Sequence, residues 1–151
     1  MRNEPWRMSA VEAVNREISP LELVEASAQR IAEVEPTVNA LPTLCLDRAR
    51  EHARRITQGG AACEAAGEAG WLAGLPVSIK DLTDVAGVRT TYGSPLFADH
   101  IPTKSHPLVE RIERKGGIVM GKSNTPEFGA GGVGRLLPAR PADFRRAGDL
   151  L

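Results

Sequence analysis

Several features that mark common protein classes are scarce in this 151-residue chain. Two cysteines are too few to form a disulfide framework. Aromatic residues make up only 4% of the chain, which disfavours a surface on which nucleic-acid bases stack. No window approaches the roughly 18 consecutive apolar residues that a membrane-spanning helix requires.

An excess of charge of either sign is also missing, because nineteen basic side chains balance nineteen acidic ones. A balanced chain offers no general electrostatic attraction to nucleic acid or to an anionic membrane. Residues 1–10 contain no apolar segment of the kind that a secretory signal needs. We therefore expect a cytoplasmic protein with reduced thiols that binds neither nucleic acid nor membranes.

Hydrophobic periodicity predicts helices in the first third of the chain. Ser19, Pro20 and Glu22 have the spacing of a capping box with proline at the first helical position. Apolar residues then recur every three or four positions, at Leu21, Val24, Ala28, Ile31 and Val34. This stripe predicts a helix over about 20–33, which Pro36 should stop. A second set, Leu46, Ala49, Ala53 and Ile56, predicts another helix that ends before Gly59.

Farther along, the apolar pattern changes from helical spacing to alternation. Residues 75–82 predict a strand, with Val77 and Ile79 on one face and Ser78 and Lys80 on the other. A short helix near 108–112 then ends at two glycines, and an apolar stretch at 118–120 predicts a further strand. This order predicts an α/β fold in which helices flank a mixed sheet.

Residues 116–123 match the letters of a phosphate-binding loop, G-x-x-x-x-G-K-[ST]. That mechanism needs an exposed loop followed by a helix, whereas Ile118, Val119 and Met120 favour a strand and Pro126 opposes a helix. We therefore interpret the match as a strand and turn. The three histidines and two cysteines lack metal-ligand spacing, so no metal site is expected.

Lys80 lies near the end of the predicted apolar strand, beside a loop rich in glycine and proline. A buried lysine loses charge because desolvation disfavours its ammonium form, and the neutral amine can serve as a general base. The alternative is a lysine that extends into solvent or pairs with Asp81 or Asp84. Composition and periodicity alone favour this second interpretation.

Three consecutive motifs favour the first interpretation, in which Lys80 is a general base. The segment 74–81, GLPVSIKD, resembles the lysine motif of the amidase signature family. The segment 87–94, GVRTTYGS, resembles the loop that follows it in that family, and 116–129, GGIVMGKSNTPEFG, resembles the next strand and loop. The resemblance extends over about 9–132 and is strongest from Gly74 onward.

This resemblance implies hydrolysis of, or acyl transfer from, a carboxylic amide by a Ser–cis-Ser–Lys triad. In that triad a bridging serine passes a proton to the lysine while a second serine attacks the carbonyl carbon. The lysine carries over to Lys80, and the resemblance implies no metal or organic cofactor. The resemblance also suggests that five nearby residues line or support the substrate site: Tyr92, Gly93, Ser94, Asn124 and Thr125.

Neither serine of the triad has a counterpart, because Ser123 is the last serine in the chain. We predict that residues 1–132 form the N-terminal part of an amidase domain and that 133–151 depart from the family. A truncated or frame-shifted gene product would explain this departure, and divergence into a non-catalytic remnant or binding module is the alternative. The chain as written should be inactive. A homodimer, or a complex of the kind that tRNA-dependent amidotransferases form with a partner subunit, is compatible with the resemblance.

Overall fold

A computed structural model describes residues 17–59 and 69–130 of the chain. Its elements are helix α1 (Pro20–Val38), strand β1 (Thr43–Leu44), helix α2 (Leu46–Thr57), strand β2 (Pro76–Lys80), helix α3 (Pro107–Arg114) and strand β3 (Ile118–Ser123). Single 3₁₀ turns occur at Pro95–Phe97 and Glu127–Gly129. The predicted departure at 133–151 lies outside the described residues.

The strands form a mixed sheet in the order β1-β3-β2. Strand β3 is antiparallel to β1 and parallel to β2. A parallel pair requires a crossover, and residues 81–117 supply it with a long loop and α3. The predicted mixed sheet and α/β fold are confirmed.

Two apolar clusters cover opposite faces of the sheet. Helices α1 and α2 pack on one face, and their cluster consists of Val24, Ala28, Ala49, Ala53, Ile56, Ile118 and Met120. On the other face, the crossover and α3 join β2 and β3 in a second cluster of Ile79, Val85, Val88, Val109 and Val119. Helices therefore flank the sheet on both faces, as predicted.

The start of α1 is confirmed but its predicted end is wrong. The Ser19 hydroxyl accepts a hydrogen bond from the Glu22 amide at 3.2 Å, and the Glu22 carboxylate accepts one from the Ser19 amide at 2.8 Å. The helix continues through Pro36 to Val38. It ends where Asn39 adopts left-handed backbone angles (φ 49°) and its amide still bonds the Glu35 carbonyl at 2.8 Å. A proline removes one amide donor, and α1 tolerates that loss in its last turn.

A β-bulge interrupts the pairing of β2 with β3. Val77 is opposite Val119, whereas the next residue, Ser78, is opposite Gly121. The extra residue, Met120, contacts the cluster under α1 and α2. Because a bulge shifts the alternation of side chains by one residue, Lys122 lies beside Ile79, on the face opposite Met120.

Gly121 allows β1 to approach this bulge closely. A Cβ atom there would lie 2.5 Å from the Thr43 carbonyl oxygen. We predict that Gly121→Ala lowers the free energy of unfolding by about 1–3 kcal/mol, because β1 would have to move away. Guanidinium denaturation measures the loss, and Ser123→Ala on the same strand is the control, with an expected change within about 0.5 kcal/mol. Equal losses in the two variants would contradict the proposed clash.

Candidate functional site

Lys80 lies at the carboxyl end of β2 with its side chain exposed. The strand register places it beside Ser123 of β3, and it shares the outward side of β2 with Ser78, which is also exposed. Within residues 17–59 and 69–130, no hydrogen bond or ion pair engages its ammonium group. The structure therefore gives Lys80 a position at an open strand end, where its side chain is available to another group.

The lysine that the protein buries is Lys122, with no exposed surface. Its ammonium lies 3.2 Å from the Asp81 carboxylate and donates hydrogen bonds to the Thr83 carbonyl at 2.8 Å and the Thr90 hydroxyl at 2.7 Å. Burial lowers the pKa of Lys122, and the charge of Asp81 opposes that shift. Lys80 instead has an exposed side chain, as composition and periodicity favoured, and apolar spacing did not indicate that Lys122 is the buried lysine.

Asp81 completes this buried network. It is 1% exposed, and one of its oxygens accepts hydrogen bonds from both the amide and the hydroxyl of Thr91. The Thr91 hydroxyl in turn accepts a bond from the Gly93 amide at 3.1 Å. Neither carboxylate proposed as a partner for Lys80 serves that role. Asp81 pairs with Lys122, and Asp84 accepts a hydrogen bond from the Tyr92 hydroxyl at 2.6 Å.

Tyr92 and Phe128 both adopt left-handed backbone angles, with φ of 54° and 50°. Such angles are unfavourable for bulky side chains, so the surrounding structure has to hold them. The Phe128 amide donates a 2.7 Å hydrogen bond to the Tyr92 carbonyl, which ties the two strained positions together. The Tyr92 ring lies against Phe97 and His100, and its hydrogen bond to Asp84 raises the pKa of Tyr92 to about 12.

Four of the five predicted lining residues meet where the loop after β2 packs against the loop after β3. Ser94 donates a 2.6 Å hydrogen bond to the Glu127 carboxylate. A Cβ on Gly93 would lie 2.7 Å from the carbonyl oxygens of Thr125 and Pro126, so only glycine allows this approach. The two loops form one surface beside the ends of β2 and β3.

Asn124 is oriented differently from the other four. Its side-chain amide donates a 3.0 Å hydrogen bond to the Asn39 carbonyl, and its backbone amide bonds the Ala40 carbonyl at 2.7 Å. These contacts tie the end of β3 to the segment after α1. Thr125 is 1% exposed, so its side chain lies under the loop surface and does not face solvent.

Cys45 is a free cysteine in the described part of the chain. Burial raises the pKa of the Cys45 thiol to about 11, which keeps it protonated near neutral pH. No group of three His, Cys, Asp or Glu side chains converges as a metal site among the described residues. The stretch 118–123 is a strand, which confirms that residues 116–123 do not form a phosphate-binding loop. In the described part of the chain, no helix combines the length and hydrophobicity needed to cross a bilayer.

The sequence model of the Amidase family matches residues 22–136. The chain belongs to the amidase family. A glutamyl-tRNA(Gln) amidotransferase component of Synechococcus sp. (strain CC9605) is 40% identical over 116 residues, which are 77% of this chain and 23% of that protein. An acylamidase of Rhodococcus erythropolis is 37% identical over 120 residues, 80% of this chain and 24% of that protein.

Solved structures agree with these sequence relatives. A bacterial aryl acylamidase of the amidase signature family superposes with a TM-score of 0.65 at 30% identity, over 82% of this chain and 26% of that one. The peptide amidase of Stenotrophomonas maltophilia superposes with a TM-score of 0.66 at 26% identity, over 78% and 24% respectively. The chain thus spans about a quarter of the length of the amidase-family relatives that it matches.

The two lysines can be compared by the same substitution. Lys122→Met would leave the buried Asp81 carboxylate without a counter-charge, which costs about 3–5 kcal/mol in the free energy of unfolding. Lys80→Met removes an exposed ammonium and should change stability by less than about 0.5 kcal/mol. Denaturation of both variants in urea tests the difference. A loss of similar size in Lys80→Met would contradict the exposed position of the Lys80 side chain.

Proposed function

We propose that this chain carries the lysine and part of the substrate-lining surface of a serine amidase of its family. The observation that supports this most directly is the position of Lys80, which has an exposed side chain at a strand end beside the paired loops. In this proposal the Lys80 amine accepts a proton through a bridging serine while a second serine attacks the carbonyl carbon of the amide. The lysine then returns the proton to the leaving amine.

Burial is what keeps a lysine amine uncharged near neutral pH. Among the described residues nothing buries Lys80, so the proposed mechanism needs additional protein surface over the end of β2. The same surface has to bring the two serines, because no serine follows Ser123 in this sequence. Lys80 and the loops at 92–94 and 125–129 would form one wall of the site, and the additional protein surface would form the other.

The 151-residue chain alone should not hydrolyse a small aryl or aliphatic amide, because it lacks the serine nucleophile. A direct assay of the purified chain with an anilide tests this prediction. Ser78 and Ser123 are the two serines nearest Lys80 in the strand register. Turnover that disappears in both Lys80→Ala and either Ser78→Ala or Ser123→Ala would show a substitute nucleophile and overturn the prediction.

The DNA after the Gly132 codon provides a test of the proposed frame change. Translation in the other two frames should reveal a glycine- and serine-rich segment of the G-S-S-G type. In protein made from that restored frame, Lys80→Met should lower amide hydrolysis at least about 100-fold, the usual contribution of a general acid–base group. Lys104→Met, which changes another exposed lysine, is the matched control and should keep the activity. Equal activities in the two variants would exclude Lys80 as the base.

A second candidate function is that of an amidotransferase component, since components of glutamyl-tRNA(Gln) amidotransferases are 34–40% identical to this chain. Under that proposal the restored protein works with a partner protein. Co-purification of the restored protein from its own cells distinguishes the two candidates. A stable complex with a second polypeptide supports the amidotransferase, whereas an isolated protein that is active on simple amides supports the amidase.

A further inference from the structure

The buried ion pair of Lys122 and Asp81 joins β2 and β3 to the loop that carries Tyr92, Gly93 and Ser94. Asp81 directly follows β2, and its amide bonds the Ser123 carbonyl at 3.0 Å. Lys122 belongs to β3 and contacts Thr83 and Thr90. Lys122 and Asp81 thus both extend from the sheet and contact the same loop.

Each hydrogen bond in this network has a defined direction. Lys122 donates to the Thr90 hydroxyl, which donates in turn to the Val88 carbonyl at 3.2 Å. On the other branch, the Gly93 amide donates to the Thr91 hydroxyl, which donates to Asp81. Thr90 and Thr91 therefore connect the two charges to the backbone on either side of them.

These connections end where the backbone is strained. Tyr92 has a left-handed φ of 54° and follows Thr91 directly, and Gly93 donates to the Thr91 side chain. A strained residue keeps its conformation only where its neighbours restrict it. The network fixes the residues just before Tyr92, and the contact with Phe128 fixes its carbonyl.

We propose that Lys122 is a positioning residue that, through Thr90 and the Asp81–Thr91 pair, holds the backbone of residues 92–94 against the loop after β3. The link to catalysis rests on the proposed function, because only there do these residues line a substrate site. The positioning itself is independent of turnover and can be measured in the 151-residue chain. An inactive protein would therefore leave this inference intact.

The test uses Thr90→Val, because Lys122→Met is expected to destabilise the whole chain. Valine has nearly the shape of threonine but cannot accept the Lys122 hydrogen bond. Thr90→Ser keeps the hydroxyl and should restore the wild-type behaviour. Thr43→Val is the matched control, since Thr43 is 3% exposed and its hydroxyl has no hydrogen-bond partner among the described residues.

Two measurements report on the loop. The first is hydrogen exchange of the Thr91 and Gly93 amides, compared with the Cys45 amide, which bonds the Met120 carbonyl within the sheet at 2.9 Å. The second is the NMR signal of the tyrosine ring in chain labelled with ¹³C-tyrosine. Tyr92 is the only tyrosine, so its signal needs no assignment, and its shift depends on the nearby Phe97 and His100 rings.

In Thr90→Val we expect Thr91 and Gly93 to exchange at least about ten times faster, with less than a twofold change at Cys45. The ring signal of Tyr92 should move toward that of free tyrosine. Thr90→Ser and Thr43→Val should change neither measurement. An equal increase at Cys45 would show a general loss of stability, and unchanged Thr91 and Gly93 would show that Lys122 does not hold the loop; either result overturns the proposal.

Discussion

The buried ion pair between Lys122 and Asp81 is the interaction on which the arrangement of the site depends. An ion pair removed from water is favourable only when further hydrogen bonds satisfy its remaining donors and acceptors. Here the carbonyl of Thr83 and the hydroxyl of Thr90 accept from Lys122, and Thr91 donates to one Asp81 oxygen, while the other Asp81 oxygen has only the charge contact with Lys122. The loop after β2 consequently has to lie on the sheet for the charges to be buried at tolerable cost.

A single inserted residue makes this pair possible. Regular alternation along β3 would place Lys122 on the same side as Ile118 and Met120, in the apolar layer under α1 and α2. The bulge at Met120 places Lys122 beside Ile79 instead, on the side where the crossover loop carries its polar partners. Gly121 is part of the same arrangement, since any side chain there would collide with β1. The bulge thus determines on which face of the sheet the Lys122 ammonium lies.

The sequence predicted the parts of the fold that depend on local pattern. The capping box at Ser19, the α2 stripe and the strand at 75–82 were recognisable because each depends on neighbours a few residues away. The continuation of α1 through Pro36 was not, because it depends on the left-handed conformation of Asn39, whose amide bonds the Glu35 carbonyl beyond the proline. Lys122 was missed for a similar reason, since pairing between distant segments creates its bulge. Its recognisable signal was a lysine within an apolar stretch, interpreted only as part of a false phosphate loop.

The order of residues at the end of β2 now has a physical meaning. Lys80 and Asp81 are adjacent, and adjacent side chains of an extended segment point to opposite faces. Under the proposed function Lys80 acts as a base, and a carboxylate near an amine favours the charged form of that amine. Asp81 is directed into the protein, where one carboxylate oxygen pairs with Lys122 and the other accepts a hydrogen bond from Thr91. The Lys80 side chain is exposed. Lys122 thus pairs with the carboxylate that directly follows Lys80 in the sequence, and in the proposed mechanism the Lys80 amine is left without that counter-charge.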